Sequence, residues 1–88
     1  WQVADSSVAL DQLSEVIKTT PRTEIVTQRD NYLHATYSSR IFGFVDDLEL
    51  AANDAVTLEA RSISRLGESD LGVNAQRLEN LSQSLDIQ

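Results

Sequence analysis

Three carboxylates stand close together near the middle of this 88-residue chain, at Asp46, Asp47 and Glu49. Carboxylate oxygens can bind a divalent cation, or act as an acid and a base. The surrounding residues predict a β-strand, in which successive side chains point to opposite faces, so Asp47 and Glu49 share one face and Asp46 points to the other. We therefore favour ion pairs with arginines over a metal site, and we predict no bound metal and no cofactor.

The single histidine, His34, is the second candidate for chemistry. One histidine cannot build a multi-histidine zinc site, and the absence of cysteine excludes thiolate catalysis and cysteine metal sites. No serine lies in the Gly-x-Ser-x-Gly setting of a nucleophile elbow. We assign no catalytic residue and interpret His34, with Asp46, Asp47 and Glu49, as part of a structural charge network.

The third candidate is a group of arginines, serines and one asparagine in the second half of the chain. The paired N–H groups of a guanidinium and the hydroxyls of serine bind carboxylate or phosphate through hydrogen bonds, and the N-terminus of a helix adds backbone donors. A network that only holds the loop 62–74 onto the sheet is the alternative, and both stay open here. The candidate ligand or partner contacts are Arg40, Arg61, Ser62, Ser64, Arg65, Ser69, Asp70, Asn74 and Arg77.

The inward-pointing carboxylate, Asp46, requires a partner. A lone buried carboxylate is costly because water no longer solvates its charge. The available partners are Arg40, Arg65, Arg77 and His34.

The elements that position these residues begin with an amphipathic helix over 7–18. Either Ser6 or Ser7 can serve as its N-cap, and Pro21 prevents its continuation. Residues 1–6 form a predicted lead-in. Because the chain starts with tryptophan and not methionine, we interpret residues 1–88 as one domain that is a processed or excised part of a longer precursor. The apolar positions at helical spacing are Val8, Leu10, Leu13, Val16 and Ile17.

After Pro21 the periodicity changes to two, which predicts four strands in two hairpins. The first hairpin joins 24–28 to 32–38, and the second joins 44–51 to 55–62. Turn-forming residues separate the two strands of each hairpin.

The register of the second hairpin decides which charges face each other. We predict its turn at 53–54 and favour Leu50 opposite Leu58 over Leu50 opposite Val56. The favoured register sets Asp47 opposite an arginine, whereas the other sets it opposite a glutamate.

The last predicted element is a helix with Asn74 as its N-cap and Leu78, Leu81 and Leu85 as a narrow apolar stripe. Four antiparallel strands with one apolar face and two amphipathic helices predict an α+β, two-layer fold. Its order is helix, a four-stranded antiparallel sheet of two hairpins, then helix. We expect both helices to cover the same face of the sheet.

Composition excludes some partners. The net charge of −7 repels a phosphate backbone, so we predict no nucleic-acid partner. No run approaches the roughly 18 apolar residues that a membrane-spanning helix requires, so we predict no span in this stretch.

Several short motifs are spread over residues 22–79. They are Asn31-Tyr32-Leu33-His34-Ala35, Ser39-Arg40, Phe42-Gly43-Phe44-Val45-Asp46-Asp47 with Glu49, Arg61-Ser62, Ser64-Arg65, Gly67, Ser69-Asp70, Leu71-Gly72-Val73-Asn74 and Arg77. This pattern resembles the family called domain of unknown function 1499. The resemblance implies a small bacterial or plastid protein that is exported or lumenal, with no established activity. The family's upstream segment with proline and cysteine is missing here, and Ala75-Gln76 stands where basic residues are common.

Three functions fit these residues. The leading hypothesis is a noncatalytic binding or accessory domain that engages a protein partner or a small anionic ligand through its arginine- and serine-rich loop. The second is an enzyme that uses Asp46 or Asp47 as acid or base, with Arg65 or Arg77 holding an anionic substrate. The third is a structural subunit of a larger assembly.

Overall fold

A computed structural model describes residues 1–39, 44–65 and 72–85 of the chain. Its four strands form one antiparallel sheet in the order β1-β2-β3-β4, and one helix precedes the strands along the chain while the other follows them. This arrangement confirms the predicted α+β fold. The elements are α1 (Ser6–Lys18), β1 (Thr23–Arg29), β2 (Tyr32–Ser38), β3 (Val45–Asp54), β4 (Thr57–Ser64) and α2 (Val73–Ser84).

Helix α1 begins one residue earlier than predicted, because its N-cap is Asp5. The backbone of Asp5 is extended, and its Oδ1 accepts a hydrogen bond of 3.1 Å from the Val8 N–H. The prediction of Ser6 or Ser7 as the cap is therefore wrong. Ser6 is buried, and its Oγ donates to the carbonyl of Asp54 at 2.6 Å, which ties the start of α1 to the end of β3.

Both helices pack on one face of the sheet and share a single core with it. Alternate residues of the strands point toward the helices, as the two-residue periodicity predicts. The opposite face, here called the open face, is not covered by either described helix. Val8, which the helical spacing placed in the core, is half exposed. The core residues are Ala9, Leu10, Leu13, Ile17, Leu33, Ala35, Leu48, Leu50, Leu58, Leu81 and Leu85.

The turn of the second hairpin lies at 55–56 and not at the predicted 53–54. Asp54 still belongs to β3, and its carboxylate accepts a hydrogen bond of 2.9 Å from the Val56 N–H, which stabilises the turn. That bond lowers the pKa of Asp54. An irregularity between Ala52 and Asp54 accommodates Asn53 as an extra residue.

The later turn moves the register of the second hairpin away from both alternatives considered. Leu50 lies opposite Ala60, and Asp47 lies opposite Ile63. The favoured pairing of Leu50 with Leu58 is therefore wrong by two residues. A shift of two residues leaves every side chain on its predicted face, so the division between core face and open face is unaffected.

The first residues of the chain, predicted as a lead-in over 1–6, lie along the edge of β4. The Leu58 N–H donates to the carbonyl of Trp1 at 2.8 Å, and the Val3 N–H donates to the carbonyl of Val56 at 2.9 Å. The side chains of Trp1 and Val3 pack against the core. This segment covers the backbone groups of an edge strand.

Helix α2 begins at Val73, directly after Gly72. Gly72 has a φ of 84°, a left-handed conformation that glycine adopts without a steric penalty. Asn74 lies within the first turn of α2 and is buried, so its predicted role as N-cap is wrong. Leu81 and Leu85 are buried in the core, in agreement with the predicted apolar stripe.

Candidate functional site: an arginine cluster beside a cleft

Asp46 lies on the core face of β3, directly across from Tyr37 on β2. Arg77 of α2 reaches both residues, and its Nη1 donates to Asp46 Oδ2 at 3.0 Å. Each side chain of this ion pair is only 15% exposed. Of the four partners considered for Asp46, the structure therefore shows Arg77.

Two uncharged side chains complete the hydrogen bonds around Arg77. Its Nη1 also donates to Ser62 Oγ at 3.1 Å and to Asn74 Oδ1 at 2.7 Å, and Ser62 Oγ donates to Asn74 Oδ1 at 2.5 Å. Ser62 reaches this position because it follows Leu58 on the core face of β4. Asn74 reaches it because it lies three residues before Arg77, on the same side of α2.

The guanidinium of Arg77 stacks over the ring of Tyr37. Arg77 Cζ lies 4.2 Å from the centre of the ring, a cation–π contact. Burial raises the pKa of Tyr37 although the charge of Arg77 opposes the rise, so the phenol is neutral at physiological pH. We call Tyr37, Asp46, Ser62, Asn74 and Arg77 the Arg77 cluster.

A cleft of about 420 Å³ adjoins the Arg77 cluster, between the end of α1, the end of β2 and the start of α2. Its volume lies within the usual range for small-molecule sites. Arg77 is the charged residue among the described residues that line it. The lining residues are Val16, Thr20, Tyr37, Val73, Gln76, Arg77, Asn80 and Leu81.

The hydrogen bonds of Arg77 leave part of its guanidinium available. A guanidinium carries five N–H donors, and the three bonds of Arg77 to described residues all use the two N–H groups of Nη1, one of which is shared between two acceptors. Among the described residues, no buried polar side-chain atom lacks a partner. Since the Nε and Nη2 groups of Arg77 have no acceptor in the described part of the chain, neither nitrogen is fully buried, and Arg77 lines the cleft.

A second charged group lies on the open face, around Asp47. Arg65 holds this carboxylate with two bonds, from Nε to Oδ2 at 2.8 Å and from Nη2 to Oδ1 at 3.1 Å. His34 Nε2 lies 2.7 Å from Asp47 Oδ1. The Arg65 guanidinium and, second to it, His34 lower the pKa of Asp47 to about 2. We call Asp47, Arg65 and His34 the Asp47 cluster.

Glu49 lies on the open face with two partners, a tyrosine hydroxyl and an exposed arginine. The Tyr32 hydroxyl donates to Glu49 Oε2 at 2.6 Å, and this bond raises the pKa of Tyr32. Arg61 lies across from Glu49, with Nη1 3.7 Å from Oε1, and both side chains are well exposed. In the described ranges 1–39, 44–65 and 72–85, no three histidines or carboxylates are grouped to hold a metal ion.

The predicted contact residues thus separate onto two faces of the sheet. Ser62, Asn74 and Arg77 come together in the Arg77 cluster, whereas Arg61 and Arg65 lie on the open face. Ser64 is half buried at the end of β4, across from Asp46. The remaining predicted contacts, Arg40, Ser69 and Asp70, lie outside the described residues.

Tyr37 and the cleft were not predicted from the sequence. The signal for Tyr37 was available, because it continues the inward alternation of Leu33 and Ala35 beyond the apolar core. Pairing β2 with β3 so that Leu33 faces Leu50 places Tyr37 across from Asp46. The walls of the cleft come from α1 and α2, whose relative positions no local pattern predicts.

Comparison with known proteins gives a family and no activity. The model of a family described as a protein of unknown function (DUF1499) matches residues 1–85. No curated protein and no solved structure matches the chain. No described helix is long and apolar enough to cross a membrane. Since the family match covers nearly the whole chain, the protein belongs to the DUF1499 family.

Proposed function

We propose that this chain is a noncatalytic binding domain that takes a small anionic ligand in the cleft beside Arg77. The observation that carries the proposal is a nearly buried arginine, fixed by three acceptors through Nη1, whose other donors are accessible beside a largely apolar cleft. A cation fixed before the ligand arrives loses little side-chain entropy on binding. The arrangement therefore suits recognition of an anion.

The protonation state of Asp47 favours binding over catalysis. A carboxylate with a pKa of about 2 is a weak base near neutral pH, and general acid–base catalysis is most efficient with a pKa close to the working pH. Asp46, the other carboxylate of the enzyme hypothesis, already accepts a hydrogen bond from Arg77. The lowered pKa of Asp47 and the ion pair that occupies Asp46 therefore support a binding role more than an acid–base role.

The distribution of exposed apolar residues gives less support to a structural subunit. Such a subunit would show one large apolar patch. In the part of the chain that the structure describes, the large apolar residues that are about half exposed are spread along the fold. They are Val8 on α1, Val26 on β1, Phe44 just before β3, Val56 in the turn after β3, Ile63 on β4 and Val73 on α2. Single exposed apolar residues are normal on a soluble protein surface.

The proposal is tested by amide chemical shifts of the ¹⁵N-labelled protein during titration with small carboxylates, sulfonates and phosphate esters. We expect at least one anion at millimolar concentration to shift the amides of Val16, Gln76 and Asn80, while matched neutral and cationic compounds leave them unchanged. An Arg65→Lys variant should respond like the wild type because Arg65 lies on the open face. If no anion in the panel shifts these amides, the cleft is not a binding site for small anions.

A further inference from the structure

The geometry points to a monocarboxylate with an apolar body as the ligand of the cleft, an inference that rests on the proposed function. The edge of a guanidinium formed by Nε and Nη2 presents two parallel N–H groups, which match the two oxygens of a carboxylate. Arg65 uses this edge to hold Asp47. The same edge of Arg77 has no acceptor among the described residues, so it can hold the carboxylate of a ligand in the same way.

The charges around Arg77 favour a ligand with a single negative charge. Asp46 already balances the positive charge of Arg77, since the two form an ion pair of 3.0 Å. A phosphate ester brings close to two negative charges at neutral pH, which one paired arginine cannot balance. The net charge of −7 on the whole chain adds to the repulsion. A planar monoanion therefore binds the Nε–Nη2 edge at a lower electrostatic cost than a dianion.

The walls of the cleft require that the ligand also have an apolar part. Val16, Val73 and Leu81 line the cleft with hydrocarbon surface, and Tyr37 adds an aromatic ring. Burial of apolar surface is favourable in proportion to its area. A small hydrophilic anion such as acetate gains nothing from these walls, whereas an alkyl or aryl carboxylate contacts them while its carboxylate lies at Arg77.

The inference is tested by calorimetry with octanoate, below its critical micelle concentration, against three matched probes. Octanol keeps the chain without the charge, acetate keeps the charge without the chain, and octyl phosphate doubles the charge. We expect octanoate to bind in the calorimeter and, in a parallel titration of the ¹⁵N-labelled protein, to shift only amides of the cleft, and each of the other three to bind at least tenfold more weakly. Equal or tighter binding of any of the three, or octanoate shifts elsewhere on the protein, would overturn the inference.

Variants of the cleft distinguish the paired N–H donors of Arg77 from its positive charge alone. Arg77→Lys keeps the positive charge but not the paired donors, so octanoate affinity should fall at least tenfold, while Arg65→Lys should bind like the wild type. If Arg77→Lys does not fold, Val73→Glu replaces it. An acidic residue is tolerated at a helix N-terminus, and its charge in the cleft wall should abolish octanoate binding. Unchanged binding in the folded variant contradicts the inference.

The outcomes distinguish this inference from the function on which it rests. If a phosphate ester or a sulfonate shifts the amides of the cleft and octanoate does not, the monocarboxylate assignment is wrong and the binding function stands. If none of the anions reaches the cleft, both are wrong.

Discussion

Two consecutive aspartates of β3 make contrasting ion pairs on the two faces of one sheet. Asp46 and Arg77 lie on the core face, and both side chains are 15% exposed. Asp47 and Arg65 lie on the open face, where the aspartate is 22% exposed and the arginine 54%. The alternation of a strand thus gives neighbouring residues of the same type different environments.

The two pairs also use different parts of the arginine. Arg65 donates to its aspartate through Nε and Nη2, which is the edge suited to a carboxylate, so Asp47 occupies the binding edge. Arg77 donates to Asp46 through Nη1, together with Ser62 and Asn74. Arg77 is thus held in place through Nη1 while its Nε–Nη2 edge has no acceptor in the described part of the chain.

The largest expected effect is the loss of the Arg77 side-chain charge. Arg77→Met keeps the apolar stem but leaves Asp46 in the core face without its cation, and we expect a loss of about 3 kcal/mol in the free energy of unfolding, measured by urea denaturation. Arg65→Met is the matched control, and its loss should be much smaller because water replaces an exposed partner. Equal losses for the two variants would show that the buried and the exposed ion pair contribute equally to stability, against this account.

A smaller effect is expected from Ser62→Ala. Loss of the hydroxyl removes one donor to Asn74 and one acceptor from Arg77, which should lower the free energy of unfolding by about 1 to 2 kcal/mol. In a double-mutant cycle with Asn74→Ala, the two losses should add to more than the loss in the double variant, because the residues share one network. Strict additivity would show that Ser62 and Asn74 act independently. Ser64→Ala serves as the control on the same strand.

The lowered pKa of Asp47 predicts that the stability difference between the wild type and Asp47→Asn depends on pH. Its pKa is lowered from 3.8 to about 2 in the folded protein, so its contribution is fully present above pH 3.8 and is lost as the pH falls through about 2. Because solvent screens the cluster, we expect Asp47→Asn to lose only about 1 kcal/mol near pH 7. The difference between wild type and variant in urea unfolding should fall as the pH passes through about 2 and disappear near about pH 1. A difference that persists at that pH would contradict the assigned cause.

The smallest expected effect belongs to the Glu49 pair on the open face. Arg61 lies 3.7 Å from Glu49, and the two side chains are 65% and 40% exposed. Exposed pairs of this kind contribute about 0 to 1 kcal/mol. Arg61→Ala should therefore leave the denaturation midpoint nearly unchanged. A loss as large as that of Ser62→Ala would show that the open face carries more of the stability than its exposure indicates.

The periodicity of apolar residues predicted much of the fold, because helices and strands depend on local sequence patterns. The two helices, the first hairpin and the two faces of the sheet follow from the spacing of apolar residues. The second hairpin shows the limit, since Asp54 forms a turn by accepting from the Val56 N–H, and that side-chain choice moved the register by two residues. Likewise Asp5 and not a serine capped α1, because either side chain can accept the same backbone bond.

The site was predictable only in part. An inward aspartate on an apolar face indicated an arginine partner, but four cations were available and only the packing of α2 on β4 selected Arg77. Asn74 satisfied every local criterion for an N-cap, yet its side chain bonds to Ser62 and Arg77. Contacts between helices and the sheet depend on side chains far apart in sequence, which no local spacing encodes.

The available edge of Arg77 is tested most directly by NMR of the arginine Nε–Hε groups during titration with octanoate. The Hε proton of Arg77 should move downfield as it gains a carboxylate acceptor, and its exchange with water should slow. The Hε proton of Arg65, which already donates to Asp47, should stay in place and serves as the internal control. A shift at Arg65 in place of Arg77, or no shift at either, would contradict the proposal that the Nε–Nη2 edge of Arg77 binds a carboxylate in the cleft.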